Sequence, residues 1–310
     1  MKLLQSKGLK LLGVVTTLVM LLVLLGGALV TKTDSGQGCG QSFPLCHGQI
    51  IPDQLEIETI IELSHRVVSA GAGFLVLALS IWSWRAMGHI RETNFLAILA
   101  FFFLMLQALL GAGAVVWGHS DIILAAHFGI SLISFAAVLL LTLLIFEVDK
   151  KFDAYKLVID RRIKRHTYGL MIYIFAVVYS GAFVRHTEAS LACPDWPFCV
   201  NASPGDLSLN SIQWIQMGHR MAAAFIFIWI IYVAIIAIKN YKHQKIVYYG
   251  WIIALALVTG QVITGALVVV TRLNLLIALS HALIISLLFG LLSYFILLIS
   301  RSKLNSKKES

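Results

Sequence analysis

Four histidines stand at a repeated spacing. His65 and His219 are 154 residues apart, and so are His127 and His281. The first two sit in matching stretches, Ile61-Glu62-Leu63-Ser64-His65-Arg66 and Ile215-Gln216-Met217-Gly218-His219-Arg220. All four fall in or near long apolar runs. A histidine in a membrane segment is costly unless it faces the protein interior and has a partner. Four at a doubled spacing point to two related sites, each built from a pair. His65 and His127 lie at similar depth, roughly 9 Å from the same end of their segments at 1.5 Å per residue. His219 and His281 repeat this, and two imidazoles at one depth on neighbouring helices can ligate a metal from opposite sides. Zinc asks for four protein ligands, or three and a water, which a two-histidine site does not supply. Haem iron takes axial histidines, and an apolar four-helix bundle supplies the slot for its ring. The plainer alternative is that each histidine only hydrogen-bonds across helices.

Glu62 aligns with Gln216 at the same offset and lies three residues before His65, on the same helix face one turn earlier. An ionised carboxylate in a bilayer must be solvated or paired, whereas an amide need not be. Partial burial would raise its pKa and suit it to proton transfer; pairing with Arg66 or a headgroup is the structural alternative. The first site thus reads as chemical, the second as a holding or electron-transfer site. Arg66 and Arg220 follow the histidines directly. Each could fork onto a haem propionate or snorkel to the headgroups. His186, beside Arg185, could line a propionate mouth. His47 and His119 read as loop or helix-end residues on one side, and His89, His166 and His243 as loop residues on the other.

The elements that position these residues are membrane helices. The chain is 310 residues long, 59% hydrophobic and 13% charged. Eight apolar runs approach or exceed the roughly 20 residues that cross a bilayer: about Leu11–Val30, Thr59–Trp84, Phe95–Trp117, Ile122–Phe146, Tyr168–Val184, Ile212–Ile238, Val247–Val270 and Leu275–Ile299. The fold class is all-α, a polytopic membrane protein of eight transmembrane helices. The first run reads as a retained helix rather than a signal peptide, since it is long for an h-region and has a counterpart in the fifth run. The net charge of +9 suggests nucleic acid only until it is mapped: 19 of the 24 Lys and Arg fall at the termini and in alternate loops. That pattern places both termini in the cytoplasm of a plasma-membrane protein, and no nucleic-acid partner is expected.

The 154-residue offset recurs. Gly27-Ala28 matches Gly181-Ala182, Cys39 matches Cys193, and Gln107 with Gly111-Ala112 matches Gln261 with Gly265-Ala266. The glycine faces suit close helix packing, or a flat ligand against them. A repeat of four helices enters the membrane from the same side twice, so the expected architecture is two parallel-repeat four-helix bundles. The domains are residues 1–147, a charged cytoplasmic linker 148–165, and residues 166–310. All four cysteines lie in the first and fifth loops, outside by the charge rule, where disulfides form. Four cysteines allow three connectivities. Local pairing, Cys39 with Cys46 and Cys193 with Cys199, is the simplest. Such a pair is a loop staple or a redox-active dithiol; neither has C-x-x-C spacing.

The sequence resembles the haem A synthase family over nearly its whole length. The resemblance is carried by Gly26-Gly27-Ala28-Leu29-Val30-Thr31, Gly36-x-Gly38-Cys39 with Pro44-Leu45-Cys46, Glu62-x-x-His65-Arg66, Gln107 with Gly111, and Ala126-His127. In the second half it is carried by Gly181-Ala182-x-Val184-Arg185, Cys193-Pro194, Gln216-Met217-Gly218-His219-Arg220 and Ser280-His281. The resemblance implies oxidation of a ring methyl group of haem O to a formyl group, through an alcohol and its hydrate, giving haem A for terminal oxidases. It implies a resident haem b on His219 and His281, substrate haem on His65 and His127, and a carboxylate at Glu62 important for activity. It further implies a supply of haem O from a haem O synthase and an electron-transfer partner the sequence does not name. Two other classes compete on the residues alone. A bis-histidine membrane cytochrome carrying electrons, for example from quinol, would use the same four histidines, though Glu62 in one half only speaks against it. A transporter with parallel repeats fits the duplication but not histidines placed away from the midplane.

Overall fold

The computed structural model describes residues 7–117, 121–146, 157–199 and 209–308. His119 and half of the expected linker, residues 148–156, lie outside the described residues. Among the described residues there are eight α-helices, each long and apolar enough to cross a membrane, and no strand beyond a single bridge between Cys46 and Gln49. The expected all-α membrane fold is the observed one. Large apolar side chains such as Phe74, Trp84 and Ile172 stand exposed along helix flanks. In water such surfaces would drive aggregation; against lipid tails they are solvated.

The chain divides into two compact units, Met1–Val148 and Asp149–Ser310. The first holds α1 (Lys7–Lys32), α2 (Ile57–Met87), α3 (Arg91–Trp117) and α4 (Asp121–Ile145). Consecutive helices pack together and α4 returns to α1, closing a ring of four. Without a hydrophobic force between helices in lipid, small residues and hydrogen bonds bring them together. Gly13 of α1 lets Thr142 of α4 approach, and the Thr142 hydroxyl donates to the Gly13 carbonyl at 3.0 Å and lies 2.9 Å from Thr17 Oγ1. Ser80 of α2 donates to the Ala97 carbonyl of α3 at 3.3 Å.

The second unit holds α5 (Arg161–His186), α6 (Ser211–Asn240), α7 (Lys245–Val270) and α8 (Leu275–Lys308), again in a closed ring. Trp251 of α7 is fully buried and stacks on Phe295 of α8, ring centroids 4.9 Å apart. Asp160 caps α5, its carboxylate accepting from the Ile163 N–H at 2.8 Å, a bond that satisfies one of the four N–H groups a helix start leaves free. Asn210 and Gln213 form a capping box that starts α6. Several helices outrun the apolar spans read from the sequence. α5 begins at Arg161 rather than Tyr168, and α8 runs to Lys308 rather than Ile299. Hydropathy marks only the part that meets hydrocarbon, whereas hydrogen bonding carries the helix into the polar zone. His166, expected in a loop, therefore lies within α5, where its Nδ1 accepts from the Trp229 indole N–H at 3.1 Å.

Candidate functional site

In the first unit His65 is on α2 and His127 on α4, which are separated around the ring by α1 and α3. His65 lies against α1: a Cβ built on Gly26 would be 3.0 Å from its Nδ1, and one on Gly27 3.5 Å from its Cε1. That Nδ1 is buried without a hydrogen-bond partner. His127 lies against α3, where its Nδ1 is 2.8 Å from the Gln107 carbonyl oxygen. A carbonyl only accepts, so the neutral ring carries its proton on Nδ1 and its lone pair on Nε2. Gly111, one helical turn beyond Gln107, makes this reachable; a Cβ there would stand 3.1 Å from His127 Cε1.

The second unit repeats the plan with different partners. His219 of α6 lies against α5, with its Nδ1 2.8 Å from Ser180 Oγ. A Cβ on Gly181 would fall 2.9 Å from its Cε1, closer than side chains pack. His281 of α8 lies against α7. Its Nδ1 is 3.0 Å from Thr264 Oγ1, and its Nε2 accepts from the Gln261 amide N–H at 3.0 Å. A Cβ on Gly265 would lie 3.1 Å from His281 Cε1. In both units, then, the histidine rings lie in cradles that a larger side chain would fill, and all four remain half-buried. Among the described residues no group of three or more His, Cys, Asp or Glu could hold a metal ion. Paired imidazoles with glycine on the adjoining helices suit the axial positions of a flat macrocycle, so the residues fit haem.

Glu62 and Arg66 of α2 and Arg220 of α6 grip the loops that cover the starts of those helices. Glu62 is 4% exposed. Its Oε2 accepts from the Cys39 N–H at 2.8 Å; its Oε1 accepts from Arg66 Nε at 3.0 Å and from Nη2 at 2.5 Å. Arg66 Nη1 donates to the Ser42 and Leu45 carbonyls at 2.7 and 2.8 Å, and its guanidinium lies over the Phe43 ring. The loop sits close on α2: Gly38 presses its Cα on the helix start, where a Cβ would stand 2.4 Å from the Glu58 carbonyl. The Gly38 carbonyl accepts from Thr59 Oγ1 at 2.7 Å, and His47 Nε2 lies 2.9 Å from it. Cys39 and Cys46 are joined, S–S 1.99 Å, as are Cys193 and Cys199, S–S 2.03 Å.

Gln216 does for the second loop what Glu62 does for the first. Its Oε1 accepts from the Cys193 N–H at 2.6 Å, and its Nε2 donates to the Ser190 carbonyl at 2.6 Å. Arg220 donates to the Cys193, Asp195 and Pro197 carbonyls of the loop at 2.8, 2.7 and 3.3 Å, and lies 3.8 Å from Met217 Sδ of its own helix. Sequence reading offered propionate or headgroup as the arginines' partner; the structure gives them loop carbonyls. It also gives Glu62 the ion pair that was its structural alternative. Ser180, Thr264 and the Gln107 carbonyl are contacts the sequence reading missed. The 154-residue offset carried a signal for two of them, since it aligns Ser180 with Gly26 and Thr264 with Leu110.

Comparison with known proteins places this arrangement. Proteins named Heme A synthase are similar to the chain across almost all of its length. The one from Geobacillus kaustophilus (strain HTA426) is 61% identical over 299 residues, 96% of this chain and 94% of that protein. The one from Lysinibacillus sphaericus (strain C3-41) is 56% identical over 303 residues, 98% of this chain and 99% of that one. The one from Bacillus cereus (strain 03BB102) is 58% identical over 304 residues, 98% and 97% of the two. A family model described as cytochrome oxidase assembly protein, COX15-CtaA, matches residues 10–293, a stretch that includes all four histidines, both disulfides, Glu62 and Gln216, and the chain belongs to that family.

Proposed function

We propose that the chain is a membrane oxidoreductase that converts haem O to haem A by oxidising a ring methyl group to a formyl group, for the assembly of terminal oxidases. The carrying observation is that relatives named Heme A synthase are 56–61% identical to the chain over 96–98% of its length. Their names lend nothing to a cytochrome that only carries electrons. In this reading His65 and His127 bind substrate haem O in the residue 1–147 bundle. His219 and His281 hold a resident haem b in the residue 166–310 bundle, which supplies one-electron redox chemistry when bound.

The chain's own residues orient, enclose and move protons. His127, fixed through the Gln107 carbonyl, presents Nε2 in a set direction. The two disulfide loops, held by Glu62 with Arg66 and by Gln216 with Arg220, cover the ends of α2 and α6 one turn from His65 and His219 and shield that approach from water. Oxidising a methyl group releases protons. Glu62 is the carboxylate closest in sequence to His65 and takes that role, sharing its charge with Arg66 between transfers. Arg66 and Arg220 also retain guanidinium N–H groups beyond those placed on the loop, available to propionates. Haem O comes from a haem O synthase, and a separate electron-transfer partner completes the redox reaction. Both termini and the linker face the cytoplasm of a plasma-membrane protein, and the cysteine loops face outward, as the basic residues indicate.

Pigment extraction from the purified full-length protein is the test. Haem O or haem A beside haem b is the expected content. Two equivalents of haem b with neither of the others would return the chain to the electron carriers.

A further inference from the structure

We infer that Ser180 and Thr264 are positioning residues, whose hydroxyls hold His219 and His281 as Nδ1–H imidazoles with the ligating lone pair on Nε2, and that Gly26, standing where Ser180 stands, leaves His65 unpinned so that the first site releases its haem. This rests on the two-site reading above.

An imidazole ligates through the lone pair of one nitrogen, and the bond made by the other nitrogen decides which one that is. A hydroxyl has one proton and two lone pairs. Ser180 Oγ is 2.8 Å from the Val177 carbonyl of its own helix, and Thr264 Oγ1 is 2.8 Å from the Gly260 carbonyl. With the proton on those carbonyls, each hydroxyl offers a lone pair to the imidazole, which must then donate from Nδ1. His281 gives independent support. An amide nitrogen only donates, so the Gln261 contact makes Nε2 the accepting nitrogen and leaves the proton on Nδ1, facing Thr264. His127 reaches the same tautomer through a backbone carbonyl.

His65 is the exception. Its Nδ1 is buried and without a partner, and the residue facing it is Gly26, whose Cβ position is 3.0 Å away. Three of the four imidazoles are thus held through Nδ1 and one is not. A ring that donates from Nδ1 is the more basic ligand and is fixed in rotation. Resident haem needs two such ligands. A site that takes in a substrate haem and gives up a product haem needs a ligand that lets go, and His65 is built that way.

The experiment uses the full-length protein in detergent, with Ser180→Ala, Ser180→Thr, Gly26→Ser and His219→Ala, and reads two things. One is the reduction potential of the haem b; the other is the rate of haem transfer to apomyoglobin. Ser180→Ala should raise the potential, because a less basic imidazole stabilises the ferric state less. It should speed haem b transfer about tenfold or more. Ser180→Thr restores the hydroxyl and should return both toward the parent values. Gly26→Ser should slow transfer from the first site. A Ser180→Ala protein with unchanged potential and transfer rate overturns the inference, as does a defect that Ser180→Thr does not repair, which would be packing alone. His219→Ala separates the two readings: if it keeps the haem b, the two-site reading itself fails; if it loses haem b while Ser180→Ala behaves as the parent, only the positioning role falls.

Discussion

The Cys39 N–H is held by a carboxylate and the Cys193 N–H by an amide, and this difference sets what each neighbouring arginine does. An amide can donate as well as accept, so Gln216 also takes the Ser190 carbonyl and leaves Arg220 to the loop. A carboxylate can only accept, so Glu62 needs a cation beside it, and Arg66 supplies one. Glu62→Gln should therefore keep the Cys39 bond, the fold and the haem b. It removes the proton acceptor, a role general bases fill to about a hundredfold or more in rate. We expect haem A to fall by that order, with haem O or its hydroxylated intermediate accumulating on chromatography of extracted pigments. Near-normal haem A at equal protein level would falsify the proton role and leave Glu62 as the loop's anchor. The sequence showed Glu62 and the histidines plainly, because charge and imidazole are rare in apolar runs. It did not show where Arg66 points: one residue on is about 100° round a helix, and only the folded loop decides which carbonyls lie there. Glycine contacts were equally hidden. Gly181→Ala puts a methyl 2.9 Å from His219 Cε1, and we expect loss of the low-spin haem b spectrum, with overpacking of about 1–3 kcal/mol. Gly27→Ala, at 3.5 Å from His65, should be tolerated.

Among the elements, the helices were legible and their ends were not. Apolar runs located all eight spans, since crossing a bilayer demands length and hydrophobicity together. Asp160 caps the N-terminal extension of α5 past its apolar run, and the Asn210–Gln213 box marks the start of α6, features that hydropathy does not carry. The described parts of the loops between α1 and α2 and between α5 and α6 are held by their disulfides and by helix side chains. Each closes a short ring of chain, with sequence separations of 7 and 6. Loop-closure entropy then assigns each bond about 2–3 kcal/mol. Replacing Cys193 and Cys199 together with serine should lower thermal stability by that amount in a detergent melt. Arg220 and Gln216 still grip the loop backbone, so the helices should persist by circular dichroism. A melt unchanged by the replacement would mean that the side-chain bonds alone hold the loop.

At the scale of the whole chain, duplication gives two bundles one plan, and small departures from it give them different work. Each bundle alternates a histidine helix with a glycine helix, α2 and α4 against α1 and α3, α6 and α8 against α5 and α7. If both sites carried electrons alone, removing either pair would cost the same pigment and the same activity. Their surroundings argue otherwise. His219 and His281 each have a hydroxyl at Nδ1, whereas His65 has none and its bundle carries the ion-paired carboxylate. The variants should therefore split into two classes. His65→Ala or His127→Ala should keep the haem b spectrum and make no haem A, so that haem O is the only other pigment recovered. His219→Ala or His281→Ala should lose the low-spin haem b spectrum. Absorption spectra and pigment chromatography on the four proteins, at matched expression, read both classes at once. Loss of haem b from a His65 variant, with His219 and His281 intact, would show that the pairs do not divide by bundle, and the assignment of one site to substrate would fail.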